Sequence, residues 1–193
     1  MTLGIVAASG DRLADVLAVL DQPGEPSECW CQFHRCADQA TWTTRTPDRN
    51  RADLERLVAS GRTPGLLAAE DGRPVGWCAV APVAELDRIS SSPFVAGLRS
   101  PDEELTDRWS VTCFVVAPAA RGRGVSRSLL HAAVEHARTE GASAVEAYPV
   151  DLSTSPPEAD DRLFAGTLTT FLAAGFQEVA RLGPHNAIVV RRI

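Results

Sequence analysis

The stretch Val115–Leu130, VVAPAARGRGVSRSLL, decides how this chain is read. It leaves an apolar run through a proline, passes two glycines and three arginines, and then takes up helical spacing. From there Val125, Leu129, Leu130, Ala133, Val134 and Ala137 supply a wide apolar face, and Arg123, Arg127, His131 and Glu135 recur along the polar one. The start of this helix is electrically odd. Arg121, Arg123 and Arg127 crowd the positive end of the macrodipole, where each cation is disfavoured by roughly 0.3–1 kcal/mol, and no Asp or Glu accompanies them. A bound anion would resolve the conflict, because the first N–H groups of a helix lack intrahelical acceptors and glycines let backbone approach a phosphate closely.

Working outward, Trp109–Val116 contains SVTCFVV, nearly all apolar or small, as a strand buried on both faces would be. Ala144–Val150 reads as its parallel neighbour, with the helix between them as the crossover. Leu3–Ala8 reads as a strand and Asp11–Leu20 as a helix, with Leu13, Val16, Leu17 and Leu20 at helical spacing. Asp48 caps a helix that runs to Ser60 and stops at Gly61. Gly65–Glu70 and Pro74–Ala81 flank the turn signal D-G-R as an antiparallel hairpin. A helix near Arg162–Ala174 ends at Gly175, and Phe176–Arg181 with Asn186–Arg192 forms a closing hairpin. Residues 21–47 and 82–107 show no regular pattern, and DLSTSPPEADD, from Asp151, reads as a polar loop. The expected class is α/β, a mixed, mostly antiparallel sheet with helices on both faces, in a single domain over residues 1–193.

With 193 residues and 45% apolar content the chain can bury one full core. A net charge of −6 argues against a broad footprint for nucleic acid or anionic lipid, so any anion must be caught locally. All 19 basic residues are arginine, which removes lysine Schiff bases and Walker-type phosphate contacts. No basic leader precedes a long apolar run and no stretch approaches ~18 apolar residues, so the expectation is a cytoplasmic protein without a membrane partner. Five cysteines, an odd number, fit reduced thiols. Cys29, Cys31 and Cys36 with His34 lack a zinc-like spacing and a fourth ligand, so no metal is expected, and the thiols pack as small hydrophobes beside Trp30 and Phe33.

Three phosphate motifs compete for the helix start. A P-loop needs a lysine the chain does not have. A dinucleotide fingerprint fits Gly122 and Gly124 but meets Arg127 where its third glycine belongs; Glu146 stands at a tolerable distance to bind a ribose, so this rival stays open. The third is R-x-x-G-x-S, with Arg121, Gly124 and Ser126. It closely resembles the R/Q-x-x-G-x-G/A motif of the GNAT superfamily of N-acetyltransferases, serine standing for the commoner glycine or alanine. LFAGTLTTFLAAGF, residues 163–176, resembles that family's closing helix and its G-F ending, and the element order is similar along most of the chain.

The resemblance implies a GNAT-like sheet and acetyl-CoA as cosubstrate. Carried over, the pantetheine arm lies along Phe114, Val115 and Val116, and the pyrophosphate sits on Gly122, Arg123, Gly124, Val125, Ser126 and Arg127, with Arg121 beside it. It implies acetyl transfer to a primary amine by direct attack, the acceptor being a small molecule ahead of a protein and the enzyme a monomer or homodimer. The family's usual acid, a tyrosine four residues before the G-F glycine, is Phe171 here. The chain's one tyrosine, Tyr148, shares a face of the strand beside the cofactor with Ala144, Glu146 and Val150. Glu146 is therefore the candidate base, directly or through water, and Tyr148 the candidate acid or orienting group; the plain alternative pairs Glu146 with an arginine. Trp30, Phe33, His34 and Trp42 fall in the region expected to shape the acceptor pocket, and Asp151 is a reserve group for a cationic amine. Two rival functions remain: a non-catalytic acyl-CoA-binding module of the same fold and a nicotinamide-dependent oxidoreductase.

Overall fold

A two-residue turn organises the sheet. Asp71 and Gly72 have φ of 47° and 82°, as a tight hairpin turn of the mirror-image type demands, and join β2 (Gly65–Glu70) to β3 (Arg73–Pro82). β1 (Leu3–Ala7) pairs with β2 and β4 (Arg108–Val116) with β3, all antiparallel. The structure, a computed structural model, describes residues 2–23, 25–98, 104–154 and 163–193. β5 (Ala144–Ala147) runs parallel to β4. With β6 (Gln177–Arg181) and β7 (Ala187–Arg192) it completes a seven-stranded sheet in the order β1-β2-β3-β4-β5-β7-β6. The closing hairpin inserts its apolar strand: Ala187, Ile188 and Val189 are buried beside β5, whereas Gln177, Glu178 and Arg181 are exposed at the edge. Charges on that edge discourage further strand pairing.

Helices cover both faces. α7 (Val125–Thr139) links β4 to β5, and the apolar positions expected of it, from Val125 to Ala137, are the ones it buries. Each buried leucine or valine of this set contributes about 1.5–3 kcal/mol. Leu168 and Phe171 of α8 (Leu168–Ala173) join the same cluster. The opposite face packs α1 (Leu13–Leu20) and α4 (Pro47–Ala59) on Leu67, Trp77, Ala79 and Val115. One close approach fixes α7: a Cβ at Gly76 on β3 would stand 2.8 Å from Val125 Cγ1 and 3.2 Å from Leu129 Cδ1, so only glycine lets the helix start come so near the sheet.

Several elements depart from the sequence reading. α4 starts at Pro47 with Thr46, not Asp48, as its cap; the Thr46 hydroxyl accepts from Arg49 N at 3.3 Å. The first helix opens with a 3-10 turn at Gly10–Arg12. Residues 21–47 hold α2 (Glu25–Cys29), a 3-10 turn at Phe33–Arg35 and α3 (Gln39–Thr43). Residues 82–107 hold a 3-10 turn at Val83–Glu85, α5 (Asp87–Ser90) and α6 (Pro93–Ala96). None of these pieces is long enough to display a period. β5 ends at Ala147 instead of Val150, since Pro149 has no N–H to donate; Val150 makes only isolated bridges to Thr167 and Asn186. α8 begins at Leu168 because Gly166, at φ 76°, interrupts the helical backbone. The early start expected at Arg162, like residues 155–162 of the polar loop, lies outside the described residues.

Candidate active site

The loop between β4 and α7 begins with a 3-10 turn at Pro118–Ala120 and ends with Gly124 as the cap of α7 at φ 81°, Gly122 standing at 72°. Those left-handed conformations are what glycine supplies without strain. Ser128 N is the first to bond back into the helix, reaching Gly124 O at 3.0 Å. The N–H groups of Gly122, Gly124, Val125, Ser126 and Arg127 have no backbone acceptor among the described residues. The charge conflict expected at this point is partly relieved from within. Arg123 Nη2 meets Glu70 Oε1 of β2 at 2.7 Å, a carboxylate the local sequence could not reveal. That pair is partly exposed and contributes about 0.2–1 kcal/mol. Arg121 Nε donates to Val116 O at 3.1 Å, occupying one of the strand carbonyls assigned to a cofactor arm.

β4 is longer than its parallel neighbour and irregular where it outruns it. Register with β5 holds from Arg108↔Ala144 to Val111↔Ala147, and Thr112–Val116 continues beyond. Against β3, Ala79 faces Cys113 and Val80 faces Val111, so Thr112 is a bulge without a register partner. A bulge reverses the alternation of side chains. Trp109 and Val111 point to the α7 face, but Cys113 and Val115 pack on the α1 and α4 side, while Phe114 and Val116 return to the α7 face.

Glu146 sits beside Ser110 in register and carries the main electrostatic feature of the cleft. Its Oε2 meets Arg108 Nη1 at 3.1 Å, with side-chain exposures of 1% and 3%. Its Oε1 accepts from Tyr148 Oη at 2.5 Å. The expected base is thus the middle of a buried Arg108–Glu146–Tyr148 chain. The Ser110 hydroxyl nearby is buried without a hydrogen-bond partner among the described residues. Tyr148 stacks on His34, ring centroids 6.5 Å apart and planes 18° from parallel. His34 touches Phe33 edge-on, and Phe33 meets Trp42 the same way at 5.2 Å. Burial, with the Arg88 guanidinium adding to it, pushes the His34 pKa down to about 4, so the ring is neutral near pH 7. Its Nδ1 is buried without a hydrogen-bond partner among the described residues. Arg88 holds this wall: it lies 4.0 Å over the Phe33 ring and donates to Phe33 O at 3.0 Å and Asp38 O at 2.9 Å.

Glu146, Tyr148, His34, Phe33 and Trp42 therefore form one connected group. Trp30 does not join that wall; it is 2% exposed in the α1 and α4 core, with Arg51 over its ring at 5.2 Å. Asp151 accepts from the Ser153 hydroxyl at 2.6 Å and meets Arg181 at 2.8 Å, and these partners hold its carboxyl below the usual range. Phe171 is fully buried, its ring 6.1 Å from Phe114 and 5.1 Å from Phe176. A hydroxyl there would need a partner inside an aromatic cluster. Sequence reasoning missed Arg108, Ser110, the bulge at Thr112 and Glu70. One signal existed: an arginine opening an apolar strand must find a carboxylate, and Glu146 is the acid that β5 offers.

Residues 28–155 match the family described as Acetyltransferase (GNAT) family. No curated protein matches the chain. Similar solved structures include the GNAT domain of S. lividans PAT, at TM-score 0.61 and 16% identity over 100% of this chain and 92% of that one. The PaiA N-acetyltransferase of Thermoplasma acidophilum, in complex with coenzyme A, superposes at TM-score 0.54 and 11% identity with full coverage of both chains. The ribosomal-protein-alanine N-acetyltransferase of Brucella melitensis reaches TM-score 0.54 at 18% identity over 98% of this chain and 99% of that one. At such identities the likeness is one of fold. No helix among the described residues is long and apolar enough to cross a membrane.

Proposed function

The chain belongs to the GNAT acetyltransferase family, and from that premise we propose that it moves an acetyl group from acetyl-CoA to a primary amine, a small molecule ahead of a protein, by direct attack in a ternary complex. The observation that carries this reading is the start of α7, where backbone donors without backbone acceptors stand beside guanidinium groups at the end of a strand that outruns its neighbour. Such donors at a helix start suit a diphosphate. Gly122, Gly124, Val125, Ser126 and Arg127 would hold it through N–H groups, with Arg121 and Arg123 beside it. Phe114, Val115 and Val116 would carry the arm once Arg121 releases the Val116 carbonyl. Acetyl-CoA supplies an acyl group already activated as a thioester.

An alkylammonium with a pKa of about 10 is almost fully protonated at pH 7 and must lose a proton before its nitrogen can attack. Glu146 is too deeply buried to meet a substrate directly. Tyr148, half-buried and hydrogen-bonded to it, provides the route. The ammonium gives its proton to Tyr148 Oη while Tyr148 passes its own to Glu146. The amine nitrogen bonds to the acyl carbon, the carbon–sulfur bond breaks, and the leaving sulfur takes the second amine proton. Arg108 stays against the other carboxylate oxygen of Glu146 and holds it in place for Tyr148. Phe33, His34 and Trp42 form the wall against which the acceptor lies.

The test combines calorimetry against coenzyme A with thiol release over a panel of amines, for the parent and for Tyr148→Phe and Glu146→Gln separately. Binding with turnover, and kcat lowered on the order of 10²-fold or more in either variant, is the expected result. Binding without turnover on any amine supports instead a non-catalytic acyl-CoA-binding module, the reading favoured by phenylalanine at position 171. No heat with coenzyme A overturns both.

A further inference from the structure

The strand that runs into the α7 loop offers its open side at Phe114 and Val116. Ala117 N donates to Val75 O at 2.9 Å, one step beyond the facing pair Gly76↔Val116. In an antiparallel ladder the bonded pairs alternate, so Val115 also turns its backbone groups toward β3, while Phe114 and Val116 turn theirs the other way. On that side β5 would continue, but it ends at Ala147, opposite Val111. Val116 O is nevertheless occupied. Arg121 folds back over its own loop and donates to it from Nε at 3.1 Å.

The three arginines of this stretch are held differently. Arg123 is tied to a carboxylate, Glu70, at 2.7 Å. Arg127 is exposed on the first turn of α7. Arg121 bonds a neutral carbonyl, and it directly precedes Gly122, where the row of N–H donors begins. A charged donor facing a charged acceptor makes a stronger bond than the same donor facing a neutral one. A diphosphate seated on those N–H groups therefore draws the guanidinium off Val116 O.

We propose that Arg121 is a latch that couples the two ends of the cosubstrate. The diphosphate moves its side chain from the strand to the loop, and the carbonyl it uncovers accepts an amide N–H of the pantetheine arm. The latch rests on the acetyl-CoA reading. While the arginine stays on the strand, the apparent affinity for the arm is reduced to the fraction of molecules whose carbonyl is open. An exposed hydrogen bond of this kind shifts such an equilibrium by about two- to tenfold. By linkage the arm must favour the diphosphate end by the same factor.

NMR titrations of the full-length protein, which reach millimolar affinities, measure ADP and pantetheine each alone and each with the other saturating. The expected result is that ADP tightens pantetheine binding by about two- to tenfold and pantetheine tightens ADP binding equally. In Arg121→Ala the coupling disappears, pantetheine alone binds as tightly as it does to the parent saturated with ADP, and ADP binds more weakly. Glu70→Gln, which frees Arg123 instead, keeps the coupling. Fragments that bind the parent independently overturn the latch and leave the cofactor reading standing. Weaker pantetheine binding by Arg121→Ala does the same, because a fixed brace and not a latch would then have been removed. Pantetheine that binds neither protein even with ADP present also overturns the latch, and coupling lost in Glu70→Gln overturns its assignment to Arg121. A parent that binds no coenzyme A overturns the cofactor reading itself, and the latch with it.

Discussion

Removing one charge of the Arg108–Glu146 pair is the most informative perturbation. The ions meet at 3.1 Å with side-chain exposures of 3% and 1%, so neither survivor could recover hydration. Breaking such a pair from one side costs about 3–5 kcal/mol, because a buried charge is left uncompensated. Glu146→Gln keeps the shape and still accepts from Tyr148, so its cost isolates the charge. For a chain of this size about 2–4 °C of Tm accompanies each kcal/mol. Glu146→Gln and Arg108→Met should therefore each lower Tm by ~6–20 °C. The double variant leaves no uncompensated charge and should be no less stable than either single variant, so the coupling energy should at least equal one single cost, about 3 kcal/mol or more. The assay is equilibrium unfolding in guanidinium chloride of the parent, both single variants and the double. Single costs below about 1 kcal/mol, the range of exposed pairs, would refute the claim that the pair is desolvated. Strict additivity would refute the claim that the two ions are partners.

Three further outcomes follow from named contacts. Gly76→Ala places a Cβ 2.8 Å from Val125 Cγ1; it should cost about 1–3 kcal/mol in unfolding experiments and, by shifting the start of α7, weaken coenzyme A binding in calorimetry. His34 titrates near 6.5 when unfolded and at about 4 in the fold, so the unfolded chain binds the extra proton first as pH falls. Stability is whole above pH 6.5 and declines toward pH 4 by up to about 3 kcal/mol, and His34→Gln should flatten that part of the stability–pH curve. Glu70→Gln releases Arg123 from a competing carboxylate; coenzyme A should bind up to about fivefold more tightly, and affinity that falls instead would show that the ion pair positions the loop.

The chain by itself determined what neighbouring residues decide among themselves. The apolar stripe of α7 needs only its period, the 71–72 turn only its Asp-Gly pair, and the glycines of the helix start only local backbone freedom. That was enough for the order of the strands and the longer helices, for the class of sheet, and for the expectation of a diphosphate at the helix start. Tertiary structure decided the rest, because its partners are remote. Glu70 answers Arg123 across 53 residues, Arg108 meets Glu146 across 38, and Trp77 reaches Cys31 across 46. A single unpaired residue at Thr112 chose which face receives Cys113, and no pattern of period two can encode where that alternation breaks. Local spacing carries dihedral preferences and burial, whereas the pairing of distant charges follows from packing that only the closed sheet creates.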